Sequence, residues 1–345
     1  MNNRTVKASS SVRISYIDFL KVIGLTGIII AHIDSPSWAK MLRNFDVPLM
    51  VILSSILASK SFAKYSKAKA SIANYYISRI KRLIIPTWIF LFFYFLFKFI
   101  ISGQRASIRY YVDSFCLTRY GIGYVWIILI YLYSALLIPA FAKLMLSRKG
   151  SIIVISSYIL YEIAYYYKLG LTGSGFIRSL LDTTFYYIIP YGVLTYLGYN
   201  YYQLKNGTKL IITSISFVVF FCLAVYYRFT LGAFQSVQIA KYPPRLYYLS
   251  YGIGCSFALL MLCEKINLKL YDNKAFRFIS SHSMWIYLWH IFILDIYGKL
   301  KLPETWFIKL ILVYLLSISL VLIVNLVLDY VEKNRHFSFI KYLRG

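Results

Sequence analysis

The sequence predicts an all-α, polytopic integral membrane protein with about ten transmembrane helices. Hydrophobic residues make up 60% of the 345 positions and charged residues only 14%, a balance far outside that of soluble domains. Apolar runs long enough to cross a hydrocarbon core about 30 Å thick recur along the whole chain. Most Lys and Arg residues lie between these runs, as expected when the loops rather than the spans meet water.

Ten apolar segments are predicted to be the spanning helices. In order, they are residues 15–34, 47–62, 84–101, 124–142, 151–168, 185–202, 209–228, 246–263, 284–298 and 306–328. The second and ninth are short, which predicts that they are tilted, broken or enclosed by neighbouring helices. No repeat and no Gly/Ser-rich linker divides the sequence, so we expect a single membrane domain over residues 1–345.

The distribution of basic residues predicts the orientation. If the N-terminus faces the cytoplasm, alternate loops place 23 Lys and Arg residues on the inner side and 12 on the outer side, as the positive-inside rule requires. Both termini are therefore expected in the cytoplasm. The connections 102–123 and 168–176 would then lie outside and border any site there. Topology explains the net charge of +26, which therefore does not indicate a nucleic-acid partner.

The first segment carries three ionisable residues where charge is unfavourable. Lys21 and His32 are eleven residues apart, so on a helix they point within about 20° of each other and differ in height by about 16 Å. Asp18 precedes Lys21 by three residues and can pair with it. A structural ion pair would explain Asp18 and Lys21, and a position at the membrane interface would explain His32. Because the ionisable side chains share one face of the helix and charge is unfavourable in lipid, we expect this face to point into the protein and to serve a function.

A basic cluster precedes the third segment, in "YYISRIKRLIIPTW". Arg79 and Arg82 are three residues apart and would share a helix face, which forms a fork suited to phosphate oxygens; Lys81 lies between them. A positive-inside anchor would explain the same residues without any ligand.

Together these features resemble the membrane-bound acyltransferase type 3 family over nearly the whole chain. The resemblance rests on "RISYIDFLKVIGLTGIIIAH", in which ten residues separate a basic residue from a histidine, and on the Arg-x-x-Arg of "RIKR". The segments "FDVPLMVILSS" (45–55) and "SHSMWIYLWHIFIL" (281–294) resemble further family motifs. The family commonly has Arg at the position of Lys21 and Gly at that of Ser55; the lysine keeps the charge but loses a bidentate fork.

The resemblance implies transfer of an acyl group from cytoplasmic acyl-CoA, usually acetyl-CoA, to a hydroxyl of a cell-surface or capsular polysaccharide or its lipid-linked precursor in a bacterial envelope. His32 would act as the general base, with Lys21 and Asp18 as further catalytic residues. Direct transfer and a two-step route through acyl-His both remain open. The residues expected to bind the CoA phosphates are Arg79, Arg82 and Lys81.

His290 is expected to contact residues of this site rather than the substrate. Tyr287 lies one helical turn before His290 and is expected to be its partner. "HIFILD" also matches an H-x4-D pattern, but on a continuous helix His290 and Asp295 point about 140° apart and cannot act together. No metal-binding cluster is recognisable, so no metal is expected.

Two other function classes fit the composition. An exporter of a polysaccharide or lipid-linked intermediate would also have many spans and intramembrane charge, although such proteins often contain two related halves. A scaffold subunit of a polymer synthase would need no chemistry at His32. The sequence determines neither the acceptor nor the oligomeric state, and a homo-oligomer remains open.

Overall fold

The computed structural model describes residues 14–67, 71–103, 105–144, 146–167, 176–266, 269–300, 305–334 and 343. Within these ranges the chain is helical and contains no β-strand. The α-helices are α1 (Ser15–His32), α2 (Ser37–Leu42), α3 (Asp46–Lys67), α4 (Ile72–Ser102), α5 (Ile108–Phe115), α6 (Trp126–Leu144), α7 (Arg148–Tyr166), α8 (Phe176–Asn200), α9 (Asn206–Leu231), α10 (Leu246–Ile266), α11 (Lys274–Ser281), α12 (Ser283–Lys299) and α13 (Trp306–Asn334). The predicted all-α class is therefore correct.

Each of the ten predicted segments overlaps one of these helices. Seven windows in the described ranges are long and apolar enough to cross a membrane, and they include α1, α3, α4, α6, α9, α10 and α13. The helices at the other three predicted segments, α7, α8 and α12, are outside this set. The predicted outer connection 168–176 falls outside the described residues up to position 175.

The bundle is built around α3. This helix packs against α1, α6, α8 and α10, and 67% of the apolar window that contains it is buried, against 17% for the windows of α9 and α13. The outer faces of α9 and α13 are apolar, as expected where a helix meets lipid tails. The site described below is formed on the protein-facing side of α1, where α3, α4, α6 and α12 come together.

Two glycines allow α1 to lie close to α3. A methyl group on Gly24 would come within 2.7 Å of the flexible Met50 side chain, whereas one on Gly27 would come within 2.9 Å of the Asp46 Cβ atom, which cannot rotate away. Small residues at such contacts let two helix backbones approach closely within a membrane. Gly27 therefore fixes the distance between the end of α1 and the beginning of α3.

We expect the substitution Gly27→Ala to destabilise the protein by about 1–3 kcal/mol, because overpacking at this contact forces the two helices apart. Gly298→Ala is the matched control, since no atom lies within 4 Å of the added methyl group. Thermal unfolding in detergent measures both. Equal melting temperatures for the two variants would contradict the proposed close contact.

Helix α4 is longer than the sequence predicted. It begins at Ile72, where the Ser71 side chain accepts a hydrogen bond from the Ala73 N–H (3.1 Å), and it ends before Gly103, whose φ of 64° terminates it. The predicted span began only at residue 84, because the polar stretch before it interrupts the apolar run. As a result Arg79 and Arg82 lie within the long helix rather than ahead of it.

Candidate functional site

The polar residues near the beginning of α1 attach this helix to α11. Asp18 accepts a hydrogen bond from the Ser280 hydroxyl (Oγ to Oδ1, 2.5 Å), and Lys21 donates one to the Ser280 carbonyl (2.5 Å). The predicted Asp18 and Lys21 pair therefore converges on one residue of a neighbouring helix. Asp18 and Ser280 are buried, whereas Lys21 is half-buried and reaches a cavity.

That cavity has a volume of about 540 Å³ and lies between α1, α3, α4, α6 and α12. Its lining includes Lys21, Arg79 and Arg82, and no Asp or Glu is among the described residues that form it. We call it the arginine cavity. Its size falls within the range of small-molecule sites, and its three cations suit a ligand with several negative charges.

The two arginines behave as predicted from their spacing, whereas the lysine between them does not. Arg79 lies over the Tyr75 ring at 5.3 Å, and neither arginine forms an ion pair with a described residue. Lys81 and Arg82 are both exposed, but Lys81 lies outside the lining of the arginine cavity. The difference follows from helix geometry, since a residue next to Arg82 is rotated by about 100° from it.

A second cavity of about 140 Å³ surrounds the end of α1 and is lined by His32. We call it the histidine cavity. It reaches the protein surface at Tyr242, whose side chain is 40% exposed. Its volume is close to the roughly 150 Å³ of a cavity that holds one benzene ring, so it accommodates a reacting group rather than a whole oligosaccharide.

The two cavities share a wall. Ile28 of α1, Ile127 of α6 and Tyr287 of α12 line both of them. All three side chains are buried, and the Tyr287 hydroxyl donates a hydrogen bond to the Tyr124 carbonyl. One layer of side chains therefore separates the arginine cavity from the histidine cavity.

His32 is held by a second histidine. The His32 Nδ1 atom lies 2.9 Å from the Nε2 atom of His290, and the two rings are nearly parallel at 5.1 Å. The His290 Nδ1 atom is bonded to the Tyr287 carbonyl, which can only accept. The hydrogen-bond network therefore assigns a proton to Nδ1 of each ring and leaves the His32 Nε2 atom with a free lone pair.

His290 thus occupies the position that the aspartate holds in a Ser-His-Asp triad, where it fixes the tautomer of the reactive histidine. Its side chain is completely buried. The predicted partner of His290, Tyr287, contacts it through the backbone carbonyl rather than the hydroxyl. Asp295 points away, as the continuous α12 requires, and it accepts a hydrogen bond from the Tyr94 hydroxyl (2.6 Å).

The histidine cavity also contains three charged residues that were missed from the sequence. Arg43 and Asp46 form a buried ion pair (2.8 Å), and the other Asp46 oxygen accepts from the Val47 N–H (2.7 Å). Lys241, from the connection between α9 and α10, is 3% exposed and lies over the Tyr242 and Tyr248 rings. Burial lowers the pKa of Lys241 to about 8.

Little in the sequence distinguishes these charged residues. Arg43 and Asp46 are three residues apart in "RNFDVP", but nothing there distinguishes a buried pair from a loop pair. Lys241 lies in "AKYPPR", some 200 positions from His32, and only the packing of α10 against α1 and α3 brings it close.

Comparison with known proteins gives one match. The profile of an acyltransferase domain, that of the acyltransferase 3 family, matches residues 14–330, nearly the whole chain. No curated protein and no solved structure matches the sequence.

Proposed function

The chain belongs to the acyltransferase 3 family, and we propose that it moves an acetyl group from cytoplasmic acetyl-CoA to a hydroxyl of a cell-surface polysaccharide or its lipid-linked precursor. The observation that carries the proposal is the arrangement of a tricationic cavity, a thin wall and a histidine with a free Nε2 lone pair along one side of α1.

The donor is assigned to the arginine cavity. CoA carries several phosphate charges, and Arg79 and Arg82 offer planar forks that bind phosphate oxygens with two hydrogen bonds each. Lys21, held at Ser280 together with Asp18, adds a third positive charge deeper along α1. In this assignment Asp18 positions Lys21, and both lie too far down the helix to contact the atoms that react at His32.

The orientation of the donor site follows from topology. With ten spans and both termini in the cytoplasm, α1 runs outward from Ser15 to His32 and α4 begins on the inner side. The arginine cavity then opens towards cytoplasmic acetyl-CoA, and the histidine cavity lies in the outer half, where an acceptor glycan can reach it. The 23 inner basic residues support this orientation.

His32 is assigned the role of general base. Its Nε2 atom takes the proton of the acceptor hydroxyl while the hydroxyl oxygen bonds to the acyl carbon of the thioester. His290 holds the His32 Nδ1–H and stabilises the imidazolium that forms. The proton then passes to the sulfur of CoA as the carbon–sulfur bond breaks. The small volume of the histidine cavity favours a short acyl group such as acetyl.

The direct test compares the surface polysaccharide of cells that contain the protein with that of cells that lack it. NMR and mass spectrometry are expected to reveal one acetyl group per repeat that is missing without the protein and is restored by the wild-type chain. Identical polysaccharides from both cell types would refute the proposed acceptor class.

Substituting Arg79 or Arg82 with Ala should raise the KM for acetyl-CoA by about 10–100-fold. The reason is that each loses charge-assisted hydrogen bonds to phosphate, worth roughly 1.5–3 kcal/mol. Lys81→Ala is the matched control on the same helix, outside the cavity, and should leave KM unchanged. If Lys81→Ala raised KM as much as the arginine variants, a general surface charge rather than the cavity would bind the donor.

A further inference from the structure

Lys241 is a buried cation that Asp46 attracts only from a distance, without a direct ion pair. Its Nζ group faces two tyrosine rings at 5.5 and 5.7 Å and lines the histidine cavity. It forms no ion pair with any residue in the described part of the chain. The carboxylate that shares its cavity belongs to Asp46, and both of its oxygens are already bonded, one to Arg43 and one to the Val47 N–H.

The side chains that line the cavity can therefore bind one further negative charge. Arg43 and Asp46 are paired at 2.8 Å, so the three charged side chains of the cavity together carry one net positive charge. Burying a charge without a bonded counter-ion costs free energy. We therefore expect such a charge to be retained because it interacts with a ligand or a transition state. Lys241 belongs to the connection between α9 and α10, outside the candidate spans, and stays charged below a pKa of about 8.

We infer that Lys241 is a further catalytic residue, one that stabilises the oxyanion formed at the acyl carbon while the acetyl group is transferred. This inference rests on the proposed function. When the acceptor oxygen bonds to the thioester carbon, the carbonyl π electrons move onto the carbonyl oxygen, which becomes negative beside the Lys241 ammonium group. The carbonyl re-forms as the carbon–sulfur bond breaks, and the CoA sulfur takes the proton that His32 received.

Arg43 is less suited to this role. Its Nη1 atom is bonded to Asp46, whose carboxylate already neutralises the guanidinium, so the buried Nε–H that has no partner among the described residues adds a hydrogen bond to an oxyanion but no net charge. Lys241 makes no ion pair with a described residue, and its ammonium group lies over the Tyr242 and Tyr248 rings. It is the cation of this cavity whose charge no bonded carboxylate neutralises.

The test measures acetyl transfer from acetyl-CoA to envelope polysaccharide prepared from cells that lack the protein. We expect Lys241→Met to lower kcat by about 10²–10³-fold, the usual loss when one oxyanion donor is removed, and to leave KM for acetyl-CoA within about twofold. Lys40→Met is the matched control, because Lys40 is exposed on α2 and lines neither cavity. Lys241→Arg keeps the charge and should retain at least tenfold more activity than Lys241→Met.

The pH profile adds a readout that a packing role would not change. The ionisable and charged side chains around Lys241 are His32 of α1, Arg43 between α2 and α3, Asp46 at the start of α3, Tyr248 of α10, Tyr287 of α12 and Tyr242 of its own segment. Because the lowered pKa of Lys241 is about 8, its charge disappears as the pH rises through that value. Wild-type kcat should therefore fall above about pH 8, and Lys241→Arg should extend the active range upwards.

Three outcomes would overturn the inference. A wild-type kcat for Lys241→Met, with His32→Ala inactive in the same assay, would exclude Lys241 and leave the proposed function intact. A raised KM for the polysaccharide with unchanged kcat would show that Lys241 binds an anionic group of the acceptor instead. Absence of acetyl transfer by the wild-type protein would refute the proposed function itself, and the inference with it.

Discussion

We expect the substitution His32→Ala to lower acetyl transfer by about 10²–10⁴-fold, the contribution of a general base. The loss should appear in kcat, because the imidazole lines the histidine cavity and not the arginine cavity, where the CoA phosphates are proposed to bind. Transfer of labelled acetyl from acetyl-CoA to envelope polysaccharide by protein in detergent measures the rate. Protein amount and thermal stability are measured on the same preparation.

The matched control is His282→Ala. His282 lies at the junction between α11 and α12, where its Nδ1 atom contacts the Phe278 carbonyl (2.9 Å), and it lines neither cavity. This variant should keep the wild-type rate. A folded His32→Ala protein that acetylates the glycan at the wild-type rate would remove His32 from the mechanism.

The second large effect is expected at His290. His290→Phe keeps an aromatic ring in the buried site but removes the atom that accepts the His32 Nδ1–H, so His32 no longer favours the tautomer with a free Nε2 lone pair. We expect a loss of about 10²–10³-fold in kcat. This is less than the roughly 10⁴-fold loss when the triad aspartate is changed to asparagine, because a neutral imidazole stabilises the imidazolium less than a carboxylate does.

A conservative variant separates this positioning role from packing. The side-chain oxygen of His290→Gln can still accept a hydrogen bond from His32, so its kcat should exceed that of His290→Phe by at least tenfold. A packing role predicts the reverse, since Phe fills the buried site better than Gln does. Equal rates for the two variants, or a faster Phe variant, would contradict the assigned role of His290.

The elements that could be predicted from the sequence are those encoded by local pattern. Apolar runs located the helices, and the eleven-residue spacing placed Lys21 and His32 on one side of α1, where each lines a cavity. The Arg-x-x-Arg spacing likewise put Arg79 and Arg82 on a common face. The beginning of α4 was missed because its first turns are polar and are stabilised by the Ser71 cap rather than by an apolar run.

The elements that escaped prediction depend on contacts between distant segments. The bond between His32 and His290 spans 258 positions, and neither residue alone indicates that their rings are stacked. Lys241 lies in a connection between helices, where a lysine is ordinarily solvated, and packing buries it near Asp46 and Arg43. The shared wall of Ile28, Ile127 and Tyr287 is equally invisible in sequence, because apolar residues of this kind occur throughout every span.

The central claim is that the donor and acceptor occupy opposite sides of one thin wall, and sided proteoliposomes test it most directly. Labelled acetyl-CoA is supplied only on the side of the arginine cavity, and polysaccharide only on the side of the histidine cavity. We predict acetylated polysaccharide on the side of the histidine cavity and free CoA on the side of the arginine cavity. The His32→Ala variant should give neither product. Transfer only when both substrates share one side, or passage of unmodified polysaccharide across the membrane, would contradict the account.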